Sequence, residues 1–224
     1  MKQHHYVSRY LWFVLGVLVN SFGVALITQA ALGTSPISSI PYVLSLRFPI
    51  TLGEFTFILN LVYIFGQIVL LRRDFQPIQL LQIAVNVIFS AFIDVSMNLL
   101  SWLQPDHIAV KLIALILGCA ILGVGISIEV APDVLVVPGE GIVRAMTQVS
   151  GKRFGSVKVL FDCTLVAIAL ILSFLFFHGL NGLGLGTVIS ALIIGRFVNL
   201  YNRYLPLIPY LRSLAAAPVT EADS

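Results

Sequence analysis

Apolar runs of bilayer length recur along almost the whole chain, and this recurrence restricts the fold more than any single motif does. The runs lie at about 10–30, 54–71, 78–102, 110–130, 157–177 and 185–203, close to the roughly 20 residues that cross a hydrocarbon core as helix. Only 10% of the residues are charged, against about 25% in soluble domains, so the chain lacks a polar surface with which to face water. No segment shows the alternation over about ten residues that marks a barrel strand. The predicted class is an all-α polytopic membrane protein with six transmembrane helices in one membrane domain. Its first partner is the lipid bilayer.

Lys2 and Arg9, the first apolar run and Thr-Gln-Ala-Ala at 28–31 imitate a signal peptide. The run is long enough to span, so the expectation is that it stays. Lys and Arg set the orientation. With the N-terminus inside, the cytoplasmic segments hold Lys2, Arg9, Arg72, Arg73, Arg144, Lys152, Arg153, Lys158, Arg203 and Arg212, and the outer segments only Arg47 and Lys111. Both termini are therefore expected in the cytoplasm. Counting 34–48 as a further span would reverse the side of Arg72 and Arg73. The tail, 206–224, reads as a disordered cytoplasmic terminus.

Two polar breaks interrupt the apolar pattern, at 31–53 and 131–155, and both contain Gly and Pro. At an offset of 102 residues Gly16 meets Gly118, Gly23 meets Gly125, Pro36 meets Pro138, Ile40 meets Ile142, Gly53 meets Gly155 and Asn60 meets Asp162. With three more residues in the second half, Phe92-Ile93-Asp94 falls on Phe197-Val198-Asn199. This pattern predicts two repeats, about 10–102 and 110–205. Each holds three spans, so the second is inverted relative to the first, an arrangement found in many transporters.

In each repeat a short helix is expected to start at the proline, where the missing N–H leaves no bond unmade. Thr34 or Ser35 suits the N-cap of the first, and Pro41 would kink this helix or loosen its first turns. In the second, Glu140 and Arg144 are spaced to pair. Re-entrant breaks would bring two helix N-termini together inside the bilayer, a site suited to an anion or a carboxylate; surface loops are the alternative. The candidate binding residues are Gly33, Thr34, Ser35, Pro36 and Ser38 at one start, and Pro138, Gly139, Glu140 and Gly141 at the other. Asp94 and Arg196 join them, because an ionisable residue inside a span is a functional candidate by default. Asp162 is explained by snorkelling to the interface. Glu129, Asp133 and Glu54 read as solvated, and Asn20, Asn60, Asn86 and Asn199 as helix glue or cavity lining.

Cys119 and Cys163 read as small buried hydrophobes. No metal-ligand spacing, cofactor fingerprint or catalytic constellation is present, and Gly182, Gly184 and Gly186 suit close helix packing or a cavity wall instead of a dinucleotide loop. The expectation is no enzyme, no cofactor, no metal and no nucleic acid.

Leu-Gly-Thr-Ser-Pro (32–36), Val-Pro-Gly-Glu-Gly-Ile (137–142), Arg-Phe-Gly-Ser-Val-Lys (153–158) and Gly-Leu-Gly-Thr-Val-Ile-Ser-Ala-Leu-Ile-Ile-Gly (184–195) together resemble the YczE/YyaS/YitT-like family of bacterial integral membrane proteins. The resemblance spans most of 10–205 and implies the bacterial cytoplasmic membrane. It implies no substrate. Arg196 departs from it, since many members are expected to carry proline there. The leading expectation is a small-molecule transporter working around the two breaks, with a weak preference for an anionic or carboxylate-bearing solute. The alternative is a non-transporting scaffold or regulatory partner of another membrane protein or enzyme. A homo-oligomer is compatible with either.

Overall fold

The computed structural model describes residues 2–216. In chain order its helices are α1 (Lys2–Gln29), a 3₁₀ turn (Pro36–Ser38) leading into α2 (Ser39–Arg47), α3 (Leu52–Leu71), a 3₁₀ turn (Pro77–Leu81) leading into α4 (Gln82–Leu99), α5 (Ile108–Val130), α6 (Pro138–Ser150), α7 (Phe154–Phe177), α8 (Leu185–Tyr204) and α9 (Leu207–Ala216). The described residues contain no strand. Six of these helices are long and apolar enough to cross a membrane. The chain is a multi-pass membrane protein, and its outward side chains, such as Leu61, Phe65, Ile113, Leu160 and Ile171, meet lipid.

The prolines act where the backbone can spare an N–H. Pro36 opens the 3₁₀ turn before α2 and Pro138 opens α6, as the sequence predicts. Pro41 stands third in α2, within the first turn, where no helical bond is lost. Ser35 occupies the N-cap position but makes no capping bond; its hydroxyl donates to Ser38 Oγ at 3.0 Å. Thr51 and Glu54 form a full capping box on α3, so Glu54 has a structural task beyond solvation. Gly151 ends α6 in the left-handed region, φ 65°, which a residue with a Cβ enters at a cost.

Two expectations fail. The tail is not disordered throughout, because α9 packs Ile208, Leu211 and Leu214 against Ile128 and Ala131. The three-residue spacing of those apolar side chains, which keeps them on one face of the helix, explains the docking. Residues 217–224, including Glu221 and Asp223, lie outside the described residues. Cys163 is exposed on α7, whereas Cys119 is buried.

The centre of the bundle is the antiparallel pair α1 and α5. A Cβ at Gly23 would stand 2.6 Å from the Leu122 backbone nitrogen, and one at Gly118 2.8 Å from that of Ile27. Gly16 abuts Glu129 and Gly125 abuts Asn20 just as closely. Small residues of this kind let two membrane helices approach backbone to backbone. These contacts interconvert: adding 102 to one partner and subtracting it from the other turns Gly16–Glu129 into Gly118–Ile27, and Gly23–Leu122 into Gly125–Asn20. Around this pair α4 packs on α1 and α8 on α5, while α3 packs on α6 and α7 on α2.

Replacing Gly23 by Val should therefore force α1 from α5 and destabilise the protein by about 1–3 kcal/mol or more. Gly155→Ala, where a Cβ meets nothing within 4 Å, should cost little. Thermal unfolding in detergent micelles checks both.

Candidate functional site

Two helices that start at prolines leave their first turns facing the space between α1, α3, α5, α7 and α8. The space they border is a cavity of about 450 Å³. Ser35, Pro36 and Ser38 line it from one helix start, and Gly139 and Glu140 from the other. The remaining predicted residues lie outside it. Thr34 is fully buried: its N–H donates to Thr187 Oγ1 at 3.2 Å, its hydroxyl pairs with Thr28 at 2.8 Å, and its carbonyl accepts from Ser190 at 3.3 Å. Gly33, at φ 120°, lies against Thr187. Leu32 accepts the Gly186 N–H at 2.7 Å. Residues 32–34 are thus strapped to the start of α8, and the glycines at 184 and 186 serve this close approach to Leu32.

Pro138 offers its carbonyl to Gln67 Nε2 at 3.3 Å, and Gly141 packs on the same amide. Gln67 and Gln82 exchange bonds at 3.1 and 3.2 Å, joining α3, α4 and α6. Arg196 is exposed on α8 and does not line the cavity. Arg144, expected to pair with Glu140, instead lines a separate cleft of about 240 Å³ beside Gln67, Gln79 and Gln148.

Glu129 is the largest departure from the sequence reading. It is fully buried, not solvated, and its Oε2 accepts from Asn20 Nδ2 at 2.9 Å while Oε1 accepts the Val137 N–H at 3.3 Å. Val137 is the N-cap residue of α6. A carboxylate of the chain itself therefore occupies the anion position at one helix start, which removes the main argument for an anionic solute. The signal was present in the sequence: Glu129 is the one acid in the apolar run 110–130. Asp162 was also undervalued, because it lines the cavity and holds Lys158 Nζ at 2.6 Å. Asn20, Asn60 and Asn199 line the cavity too.

The two long-helix seams beside the cavity differ. Between α3 and α4, a Cβ at Gly53 would collide with the Ser90 carbonyl and the Asp94 carboxylate. Asp94 accepts the Gly53 N–H at 2.8 Å and the Thr51 hydroxyl at 2.6 Å. Deeper along the seam Asn60 donates to Asn86 at 2.7 Å, and Asn86 donates to the Phe57 carbonyl at 3.0 Å. This seam is closed. Asp94 is thereby a latch between helix ends, outside the cavity. The residues aligned with Gly53, Asn60, Asn86, Ser90 and Asp94 are Gly155, Asp162, Ala191, Gly195 and Asn199, and all five line the cavity. A Cβ at Gly155 or Gly195 would meet nothing within 4 Å. Between α7 and α8 the seam is open.

Removing the Asn20 amide should leave Glu129 short of one partner. Asn20→Ala is expected to cost about 1–3 kcal/mol without closing the cavity, whereas Asp106→Asn, on an exposed loop, should be neutral. Comparative thermal melts, with thiol labelling of a single cysteine at position 35 to report the cavity, test this.

A profile of a family of unknown function, DUF6198, matches residues 7–203. The uncharacterized protein YyaS of Bacillus subtilis (strain 168) is 24% identical over 195 residues, covering 86% of this chain and 92% of the relative. The uncharacterized membrane protein YczE of the same organism is 26% identical over 198 residues, covering 87% and 85%. No solved structure matches.

Proposed function

The chain belongs to the DUF6198 family, and for this member we propose a small-molecule transporter that works by alternating access. The cavity is its solute site, and the halves before and after the loop at 104–107 are its inverted repeats. In this reading the two proline-started helices are re-entrant, the protein sits in the bacterial cytoplasmic membrane, and both termini are cytoplasmic.

The observation that carries the proposal is the difference between the two seams. Repeats with the same contacts elsewhere supply two gates, and here one is shut while its counterpart is parted. Closing α7 on α8 while opening α3 from α4 would exchange the two conformations and transfer the cavity from one face to the other, as inverted repeats permit. The positive-inside orientation puts the open α7–α8 end, with Phe154 and Asn199, on the cytoplasmic side. This state is then inward-facing. The interconverting contacts of α1 with α5 further support the repeat.

The second conformation has a definite signature. Gly155 would meet Gly195 as Gly53 now meets Ser90, and Asn199 would accept the Gly155 N–H as Asp94 accepts that of Gly53. Cysteines at 155 and 195, in a chain lacking Cys119 and Cys163, should cross-link under mild oxidation in membranes and stop flux, because a disulfide needs Cα atoms about 4.4–6.8 Å apart. Asp94→Ala should unlatch the α3–α4 seam and increase the cross-link several-fold. Absence of any cross-link, with labelling at 35 reached from one face alone, argues against exchange. Uptake of a solute panel into proteoliposomes, abolished by the cross-link and restored by reduction, tests transport itself.

A further inference from the structure

Carboxylates buried in a membrane protein need partners, and this bundle supplies them with one exception. Glu129 has Asn20 and the Val137 N–H; half-buried Asp94 has Thr51 and Gly53; half-buried Asp162 has Lys158. Glu140 stands in the first turn of α6, half-buried and lining the cavity, and among the described residues its carboxylate has no hydrogen-bond partner. Two cations, Lys158 and Arg144, and the Asp162 carboxylate act on it from a distance. Lys158 is committed to Asp162 at 2.6 Å, and Arg144 faces the other cleft. In the pseudo-symmetric position, Ser38 presents a hydroxyl to the same space. The rest of the wall is mainly apolar, with Leu59, Phe89, Ile126 and Ile194.

We infer that the cavity takes a small organic cation, an ammonium group on an apolar body, and that Glu140 holds the ammonium. The carboxylate supplies the charge-assisted acceptor that an ammonium needs, the Ser35 and Ser38 hydroxyls offer further acceptor atoms, and the apolar wall takes the body. A volume of about 450 Å³ falls within the range of pockets that enclose small ligands, about 300–1,000 Å³. An organic anion of the same size would meet an unpaired carboxylate, with the lone ammonium of the cavity already bonded. The inference rests on the reading of the cavity as a solute site, but it does not require that the solute be transported.

The test uses the full chain in lipid nanodiscs and pairs of matched ligands: benzylamine against benzoate, and naphthylmethylamine against naphthoate. Calorimetric titration should show binding of the amines and not of the carboxylates. Glu140→Gln should weaken amine binding about tenfold or more, the loss expected for a charge-assisted bond. Glu140→Asp should keep part of the affinity, and Asp106→Asn should keep all of it. Melting curves establish that each variant is folded; if Glu140→Gln is not, the matched pairs on the unaltered protein together with Glu140→Asp decide. Carboxylates binding as well as the amines, no binding by either series, unchanged affinity in folded Glu140→Gln, or competition by sodium alone would each overturn the assignment. Amine binding without flux in proteoliposomes leaves the site standing and sinks transport. Flux of another solute without amine binding does the reverse.

Discussion

The close crossing of α1 and α5 is the contact on which the other helices depend. Four glycines, two from each helix, remove the side chains that would otherwise hold the backbones apart, and in lipid such close packing is a main source of helix association. Asn20 and Glu129 bond across the same interface. A buried carboxylate survives there because an amide and a backbone N–H satisfy it: Asn20 comes across the crossing, and the Val137 N–H from the segment that follows α5. The second bond ties the start of α6 to α5.

Everything that lines the cavity hangs on this frame. The short helices are braced by the opposite half of the chain: α6 lies against α3 and α2 against α7. Residues 32–34 are strapped to the start of α8 by Thr187, Ser190 and the Gly186 N–H. Loop segments inside a membrane domain are tolerated where protein covers them and satisfies their polar backbone. Outside this frame the α3–α4 and α7–α8 seams differ where the central contacts do not.

Polar groups here divide by whether their bonds are spent. Gln67, Gln82, Asn86, Thr34 and Asp94 are spent on joining helices, and their polarity marks structure. Glu140 borders open space with no hydrogen bond, and the Ser35 and Ser38 hydroxyls border it while bonded only to each other. Residue type alone does not separate these two groups.

That division also separates what the sequence by itself determined from what only the tertiary structure decided. Helix existence was legible, because a 20-residue apolar run in a chain with so little charge has few alternatives in lipid. The helix starts at Pro36 and Pro138 were legible from backbone chemistry. The docking of α9 was written in the spacing of Ile208, Leu211 and Leu214 but was masked by the alanines around it. The partners of Glu129 and Asp94 were not legible. Asn20 reaches Glu129, and Thr51 and Gly53 reach Asp94, from distant parts of the sequence, and the same side chain can cap, bridge or face a cavity depending on which neighbour arrives. Only the folded chain decides that Asp94 is a latch, that Glu129 fills a helix start, and that Glu140 is left facing the cavity.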